Sequence, residues 1–532
     1  MLPLLDRITA EEAALMVETG QTIIVSGNGE TLMPDRLLSA LETRFLATGA
    51  PRDLTLVYNV IPGTPRSGTG VDRLAHPGMV KRIYAGSYYT LEVRKLSDLV
   101  RDNLVEAYLV PFGALYNMVR CAAAGQPGVL TPVGVGTFAD PRVEGNKLTP
   151  RTTEDIAHVM EIEGEEYLYY RAPQIDVAII RATTADEDGN LSIEQEPNSI
   201  GLLHQAMAAK NGGGRVIAQV QQVAKRGSIH PKSVTVPGIF VDAVVLAPNQ
   251  MDAQPYNPAW TGDIRVPVDS LQPMPLDCTK VIARRAVMEL KPGALVNFGF
   301  GIGAAVPQIA AEEGIADRVV FNVEHGPVGG IPNSKYAFGA GVNMMAIMDA
   351  QNIFEFYDAG RLDMTCLGMA EVDADGSVNV SYVNGKYNLG GFMDIVHATK
   401  EIVFCGTFTA GGLAVRIEDG KTKIVEEGRH IKFVDRLKQV SFNAKAALHK
   451  GQKVFYVTER AVFNLTDRGL TLTEIAPGIE PEKDVLDKME FRPAISEPLK
   501  PMKENIFLAE PLGLSSMEPF ASVPRPEWAG AS

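Results

Sequence analysis

Two rhythms of apolar residues alternate along this chain. Between residues 23 and 60 an apolar run, IIVSGNGE, is followed by a stretch with helical spacing, PDRLLSALETRFL, and then by a second run, DLTLVYNV. The pattern predicts strand, helix, strand, with Pro34 near the helix start, where its missing N–H costs little. Residues 295–324 repeat the order as LVNFGFGIG, AAVPQIAAEEG and RVVFNVE. A duplicated plan of this kind predicts two similar α/β domains. Between the two units, DVAIIRAT (176–183), RVIAQVQQV (215–223) and VDAVVLAP (241–248) are apolar and β-branched, as strands covered on both faces should be.

Breaks in these rhythms place the domain boundaries. NQMDAQPYNPAWTGDIRVP (249–267) is rich in Pro, Asn and Asp and reads as the inter-domain region. The expected division is a first domain over 1–260, a second over 275–515, and a tail over 516–532. The Pro-rich stretch from Pro493 onward is expected to wrap the surface or to be partly disordered.

Composition narrows the class. Hydrophobic residues make up 45% and charged residues 21% of 532 residues, the balance of a soluble globular protein with more than one core. A net charge of −14 argues against nonspecific binding to nucleic acid or to acidic membranes, because both are polyanions. The first twenty residues carry Asp6, Glu11 and Glu12 and no basic n-region, so no signal peptide is expected, and no apolar run is long enough to span a bilayer. Cys121, Cys278, Cys366 and Cys405 are scattered, which fits reduced thiols in the cytoplasm.

The candidate chemistry gathers in the second βα unit. Glu324 is placed at the carboxyl end of an apolar strand, one β-α-β unit after a glycine-rich loop, and strand ends of open α/β sheets are where ligands bind. Beyond His325 the chain runs through Gly326, Pro327, Gly329 and Gly330, which leave a carboxylate open to attack a substrate. His325 is a weaker candidate base, because neighbours on a strand point to opposite faces. Asp373 and Asp375 read as turn residues between two strands. Glycine clusters at Gly27 and Gly29, Gly134 and Gly136, Gly299 to Gly303, and Gly390 and Gly391 can free amides for phosphate or oxyanion contacts, or can simply make turns. GFGIG falls short of the dinucleotide-binding G-x-G-x-x-G, no histidine has metal-ligand spacing, and no G-x-S-x-G is present. A metal site is therefore not expected.

Taken together and in order, GVGTFADPR, HPKSVTVPGIFVD, GFGIG, VEHGPVGG, FCGTFTAGGL and VTERAVF resemble the family I coenzyme A transferases, and within them the single-chain acetate or propionate branch. The likeness extends from about residue 10 to about residue 510. It implies two similar open α/β domains of the CoA-transferase, NagB/RpiA-like type, derived from a fused duplication. It also implies that Glu324, which matches the nucleophile of the family's E-x-G sequence, takes CoA from an acyl-CoA through a mixed anhydride. The resulting enzyme-CoA thioester then gives CoA to an incoming acid by ping-pong turnover. By the same resemblance, the backbone of Gly390 or Gly391 supplies the oxyanion donor. Gly299, Phe300, Gly301, Ile302 and Gly303 line the CoA site, and Gly27, Asn28, Phe112 and Gly113 belong to the substrate pocket. No cofactor is implied, since CoA is a substrate carried covalently, and the expected partners are an acyl-CoA and a carboxylic acid, with a homo-oligomeric enzyme.

One position departs from the family pattern. Phe112 stands in Pro111-Phe112-Gly113 where many members have Pro-Gln-Gly, and a phenyl ring cannot donate a hydrogen bond. Either the oxyanion relies on backbone amides, or Phe112 shapes the acyl pocket for a bulkier or more apolar acid. An acyl-CoA hydrolase on the same fold and a non-catalytic small-ligand sensor are the competing readings, and Glu324 in its glycine setting counts against the sensor.

Overall fold

The structure is a computed structural model that describes residues 6–63, 68–88, 95–250, 256–267, 273–333 and 338–522. The chain divides into two compact units. The first takes residues 1–263, 347–355 and 383–394, and the second takes 264–346, 356–382 and 395–532.

The sheet of the first unit is built from β1 (Asp6–Ile8), β2 (Thr22–Val25), β3 (Leu54–Tyr58), β4 (Val80–Ala85), β5 (Glu106–Leu109), β6 (Val177–Asp186), β7 (Arg215–Ala224) and β8 (Ala243–Leu246). Their order is β1-β8-β7-β6-β2-β3-β4-β5, and every one of these neighbours is parallel. Helices α1 (Asp35–Thr48), α2 (Phe112–Ala123) and α3 (Leu202–Asn211) pass between strands, and each turns a row of apolar residues inward, such as Leu37, Leu38 and Leu41 of α1. The predicted strands at 23, 54, 176, 215 and 241 are all present, and β6 is buried at every residue, as a strand covered on both faces requires. Burial extends to Arg181, which pairs at 2.8 Å with an equally occluded Glu196. Removing either partner would leave an uncompensated charge, a loss of roughly 3–5 kcal/mol.

In the second unit, helices α4 (Cys278–Val287), α5 (Val306–Glu312), α6 (Ala350–Asp358, of which 356–358 belong here) and α7 (Phe392–Ala398, of which 395–398 belong here) accompany a sheet. Its strands are β9 (Leu295–Phe298), β10 (Val320–Asn322), β11 (Pro327–Val328), β12 (Met364–Gly368), β13 (Glu401–Cys405), β14 (Lys453–Val457), β15 (Ala461–Thr466), β16 (Gly469–Ile475) and β17 (Ala494–Pro501). The parallel core runs β10-β9-β12-β13-β14. Numbered by chain order within its own core this is 2-1-3-4-5, and five of the eight parallel strands of the first unit, β3-β2-β6-β7-β8, follow the same order, with β4 and β5 added beyond β3 and β1 beyond β8. The two βα patterns read from the sequence therefore sit in a five-strand order that both units share, while the outer strands of the two sheets differ. In such a sheet the loops after strands 1 and 3 leave in opposite directions, which opens a crevice at their carboxyl ends.

The Pro-rich end of the chain is more ordered than its composition suggests. β17 adds to the sheet alongside β16, and Ile506 and Phe507 are buried beyond it. Arg284 of α4 donates to the carbonyls of Ile506 and Glu510, at 3.3 and 2.8 Å, and Glu313 accepts the amides of Leu512 and Gly513 at 2.7 and 2.8 Å. Side chains from distant elements thus supply the hydrogen bonds that a proline-rich segment cannot make with itself. Within the expected tail, Phe520 is buried while 516–519, 521 and 522 are exposed, and 523–532 lie outside the described residues.

Candidate active site

Glu324 does not close a strand. β10 stops at Asn322, and residues 323–326 form a tight turn into the antiparallel β11, held by Gly326 N–H to the Val323 carbonyl (3.0 Å) and Val323 N–H to the Pro327 carbonyl (3.1 Å). Strand alternation therefore does not separate Glu324 from His325, and both side chains are buried, at 7% and 4% exposure.

Beneath the turn lies a polar row that the sequence reading missed. Asn322, Asn297 and Thr365 occupy matched register positions on β10, β9 and β12. Thr365 Oγ1 donates to Asn297 Oδ1 at 3.2 Å, and Asn297 Nδ2 donates to the Tyr357 hydroxyl at 3.1 Å. Tyr357 in turn donates to Asn322 Oδ1, and Asn322 Nδ2 donates to the Pro327 carbonyl at 3.1 Å, on the far side of the turn. All four side chains are buried, so every bond is made in a low-dielectric setting where losing one is costly. The Tyr357 phenol is held well above its ordinary pKa, first by burial and then by the Glu324 carboxylate close to it, so it remains a neutral donor.

His325 is the neutral partner of the turn. Burial lowers its pKa to about 3, so its ring carries no charge at neutral pH. It meets the edge of Phe338 at 5.6 Å, and Phe338 also packs on Phe298 (6.4 Å) and Phe300 (5.7 Å). This aromatic chain joins the Glu324 turn to the glycine loop, so the structure brings Glu324 and residues 299–303 together at adjacent strand ends. In the loop, the Gly299 amide donates to the Cys366 carbonyl of β12 at 2.9 Å, and a Cβ at Gly303 would fall 2.3 Å from that oxygen. Only glycine permits so close an approach. Phe300 projects from the loop at 60% exposure, and Ile302 is half-buried.

The remaining predicted residues belong to the first unit. Gly27 and Asn28 follow β2, the position in that sheet which corresponds to the 299–303 loop in the other. Asn28 and Thr31 exchange backbone hydrogen bonds of 3.0 Å, and the next residue, Gly29, donates to the Ile61 carbonyl at 3.1 Å. The buried Arg181–Glu196 pair supports this loop, because Glu196 also accepts the Leu32 amide at 3.2 Å. Phe112 and Gly113 open α2, and Phe112 is buried. The Gly390 amide donates to the Gly86 carbonyl at 3.0 Å, which leaves Gly391 as the candidate donor of that pair. Asp373 closes its turn by accepting the Ser377 amide at 2.8 Å, between two short antiparallel strands. Among the described residues no group of three His, Cys, Asp or Glu side chains could hold a metal, the four cysteines are free thiols, and no helix is long and apolar enough to cross a membrane.

Comparison with known proteins gives this geometry its context. A family model described as coenzyme A transferase matches residues 7–247. Acetate CoA-transferase YdiF of Escherichia coli O157:H7 is 42% identical over 511 residues, which cover 95% of this chain and 96% of that protein. Caffeate CoA-transferase of Acetobacterium woodii is 40% identical over 529 residues, covering 96% and 99%. The solved structure of the E. coli O157:H7 acyl-CoA transferase YdiF as a thioester complex with CoA matches with a TM-score of 0.90 at 40% identity, over 96% of this chain and 99% of that one. With both α/β units covered by relatives at this level of identity, the chain belongs to the coenzyme A transferase family and is a single-chain CoA-transferase.

Proposed function

We propose that this enzyme moves CoA from an acyl-CoA to a free carboxylic acid by ping-pong turnover through a glutamyl-CoA thioester on Glu324. The observation that carries the reading is the Glu324 turn, which sets a buried carboxylate at the strand ends beside a glycine loop, above a polar row that bonds the far side of the turn through Asn322. A carboxylate Oε attacks the thioester carbonyl, the tetrahedral oxyanion collapses, and CoA thiolate leaves a mixed anhydride. The thiolate then attacks the glutamyl carbonyl, the first acid departs as a carboxylate, and CoA remains on Glu324. An incoming carboxylate reverses the two steps. An ionised glutamate needs no general base for this, so the neutral His325 has no proton to move.

A carboxylate is a modest nucleophile, so the oxyanion must be stabilised, and one such donor is typically worth about 2.7–4 kcal/mol. The Gly391 amide is assigned that role, residues 299–303 the binding of CoA, and Gly27, Asn28 and Gly113 a part in seating the acyl group. The reaction draws on no cofactor and no metal.

The test combines trapping with substitution. Acyl-CoA without acceptor should leave a CoA adduct on Glu324 by intact mass, and borohydride should inactivate only the enzyme so treated. Glu324→Gln should show neither adduct nor transfer while keeping its unfolding midpoint. Transfer by the purified Gln variant, checked by mass for deamidation, would remove the assignment. Release of free CoA at the same rate with and without acceptor would make it a hydrolase. Since relatives of similar identity are named for an aliphatic and an aromatic acid, the acceptor panel should contain both kinds.

A further inference from the structure

Phe112 is buried at 2% exposure, and its ring lies flush on the backbone of Gly86, where a Cβ would come within 2.0 Å of two ring carbons. Phe354 closes another side in a T-shaped contact, with ring centroids 6.2 Å apart. Gly86 follows the end of β4, and the chain beyond it is where the Gly390-Gly391 segment hangs. The Gly86 carbonyl accepts the amides of Leu389 (3.3 Å) and Gly390 (3.0 Å), Ser87 bridges to Asn388, and Tyr88 N–H donates to the Tyr387 carbonyl at 3.1 Å. Asn59 ties the other side: its carbonyl accepts the Gly86 amide at 3.2 Å, and its Nδ2 donates to the Phe112 carbonyl at 3.3 Å. The neighbouring Gly113 serves the same segment, since a Cβ there would fall 2.4 Å from a carboxylate oxygen of Asp394.

We infer that Phe112, seated on Gly86, is a positioning residue that fixes the Leu389–Gly391 backbone, and that it forms no wall of the acyl pocket. The inference rests on the proposed oxyanion role of Gly391. A ring in place of the family's amide adds no donor at the reacting atoms. It fills the space behind Gly86 and so sets where the next amide after Gly390 points. Such a strut acts on every substrate alike, because the oxyanion is common to all of them.

The discriminating experiment is single-turnover formation of the Glu324-CoA adduct in Phe112→Ala, Phe112→Leu and Gly86→Ala, with burst amplitude counting competent sites and the rate reporting chemistry per site. Misplacement by about 1 Å can cost ~10²-fold, so Phe112→Ala and Gly86→Ala should lose roughly that much in rate per site. Phe112→Leu, which refills most of the space, should recover most of the rate. KM for acyl-CoA and the ratio of kcat/KM between acetate and a bulkier aromatic acid should stay within about threefold in all three, because no contact with either is altered. A large change in that acid ratio, an unchanged rate per site, or a lost amplitude with unchanged rate in the remaining sites would each overturn the inference. If the unsubstituted enzyme forms no adduct, the thioester reading fails and this inference with it, whereas a normal adduct with indifferent Phe112 variants removes the inference alone.

Discussion

Buried at 7% exposure, the Glu324 carboxylate sits on a turn that Asn322 braces at the Pro327 carbonyl, and Tyr357 is the residue that holds Asn322. Tyr357→Phe keeps the ring and removes the hydroxyl, leaving Asn322 Oδ1 and Asn297 Nδ2 each short of a partner. Unfolding free energy should fall by about 1–3 kcal/mol, the usual cost of an unsatisfied buried group. The rate of adduct formation per site should also fall by at least about tenfold with KM for acyl-CoA little changed, as loosened orientation predicts. Chemical denaturation and rapid-quench kinetics measure the two effects, and an unaffected rate would confine Tyr357 to stability. His325 gives a separate pH signature. Its folded pKa of about 3 lies below the ordinary 6.5, so the unfolded chain takes up a proton that the folded chain refuses as pH falls below 6.5. The stability present above pH 6.5 is lost through the window from 6.5 to 3, at about 1.4 kcal/mol per pH unit. Moving from pH 7 to pH 5 should therefore cost the wild type about 2 kcal/mol more than it costs His325→Phe, measured by guanidinium unfolding. Equal losses would show that the ring is solvated. At this scale Glu324 was legible, because a carboxylate followed by glycines after an apolar strand is a local pattern. The row beneath its turn was not, since Asn297, Asn322, Thr365 and Tyr357 meet only when three strands come into register.

Elements were legible where burial is two-sided and local. The apolar runs at 23, 176, 215, 241 and 295 became parallel strands because strands largely covered on both faces carry such near-continuous apolar sequence. Two elements escaped that logic. The turn at 323–326 ends β10 two residues before Glu324, and β17 forms in a Pro-rich stretch whose hydrogen-bond partners come from distant elements. The glycine loop shows how tightly an element can constrain a residue. Gly303→Ala would drive a methyl group to 2.3 Å from the Cys366 carbonyl on β12, and the loop would have to lift off that strand. The expected outcome is a loss of about 1–3 kcal/mol in stability, as for an overpacked core, with CoA affinity weakened at least about tenfold. Thermal unfolding and isothermal titration with CoA would test the two halves, and full CoA affinity in a destabilised variant would show that the loop's fine position does not matter for binding.

For the molecule as a whole, the shared 2-1-3-4-5 order could be guessed from two similar βα patterns, but the membership of the units could not. The Pro- and Asp-rich stretch around residue 263 marks where the chain leaves the first unit, yet 347–355 and 383–394 return to it, and nothing local in their sequences announces this. They return because the first unit needs them: Phe354 packs on Phe112 and stacks on Tyr116 at 5.6 Å, Asp349 accepts from Ser199 Oγ at 2.6 Å, and residues 387–390 pair beyond β4. A fragment ending at 263 would therefore keep every described strand of its sheet and still lack the lining over α2. Residues 1–263 expressed alone should bind a hydrophobic dye and unfold at lower denaturant than the corresponding transition of the intact chain, because an uncovered aromatic face is an association surface. Co-expression with 264–532 should remove the dye binding and restore transfer, since the missing segments are then supplied in trans. A fragment 1–263 that stays monomeric, ignores the dye and unfolds with the intact protein's midpoint would mean that the returning segments contribute nothing to the first unit's core.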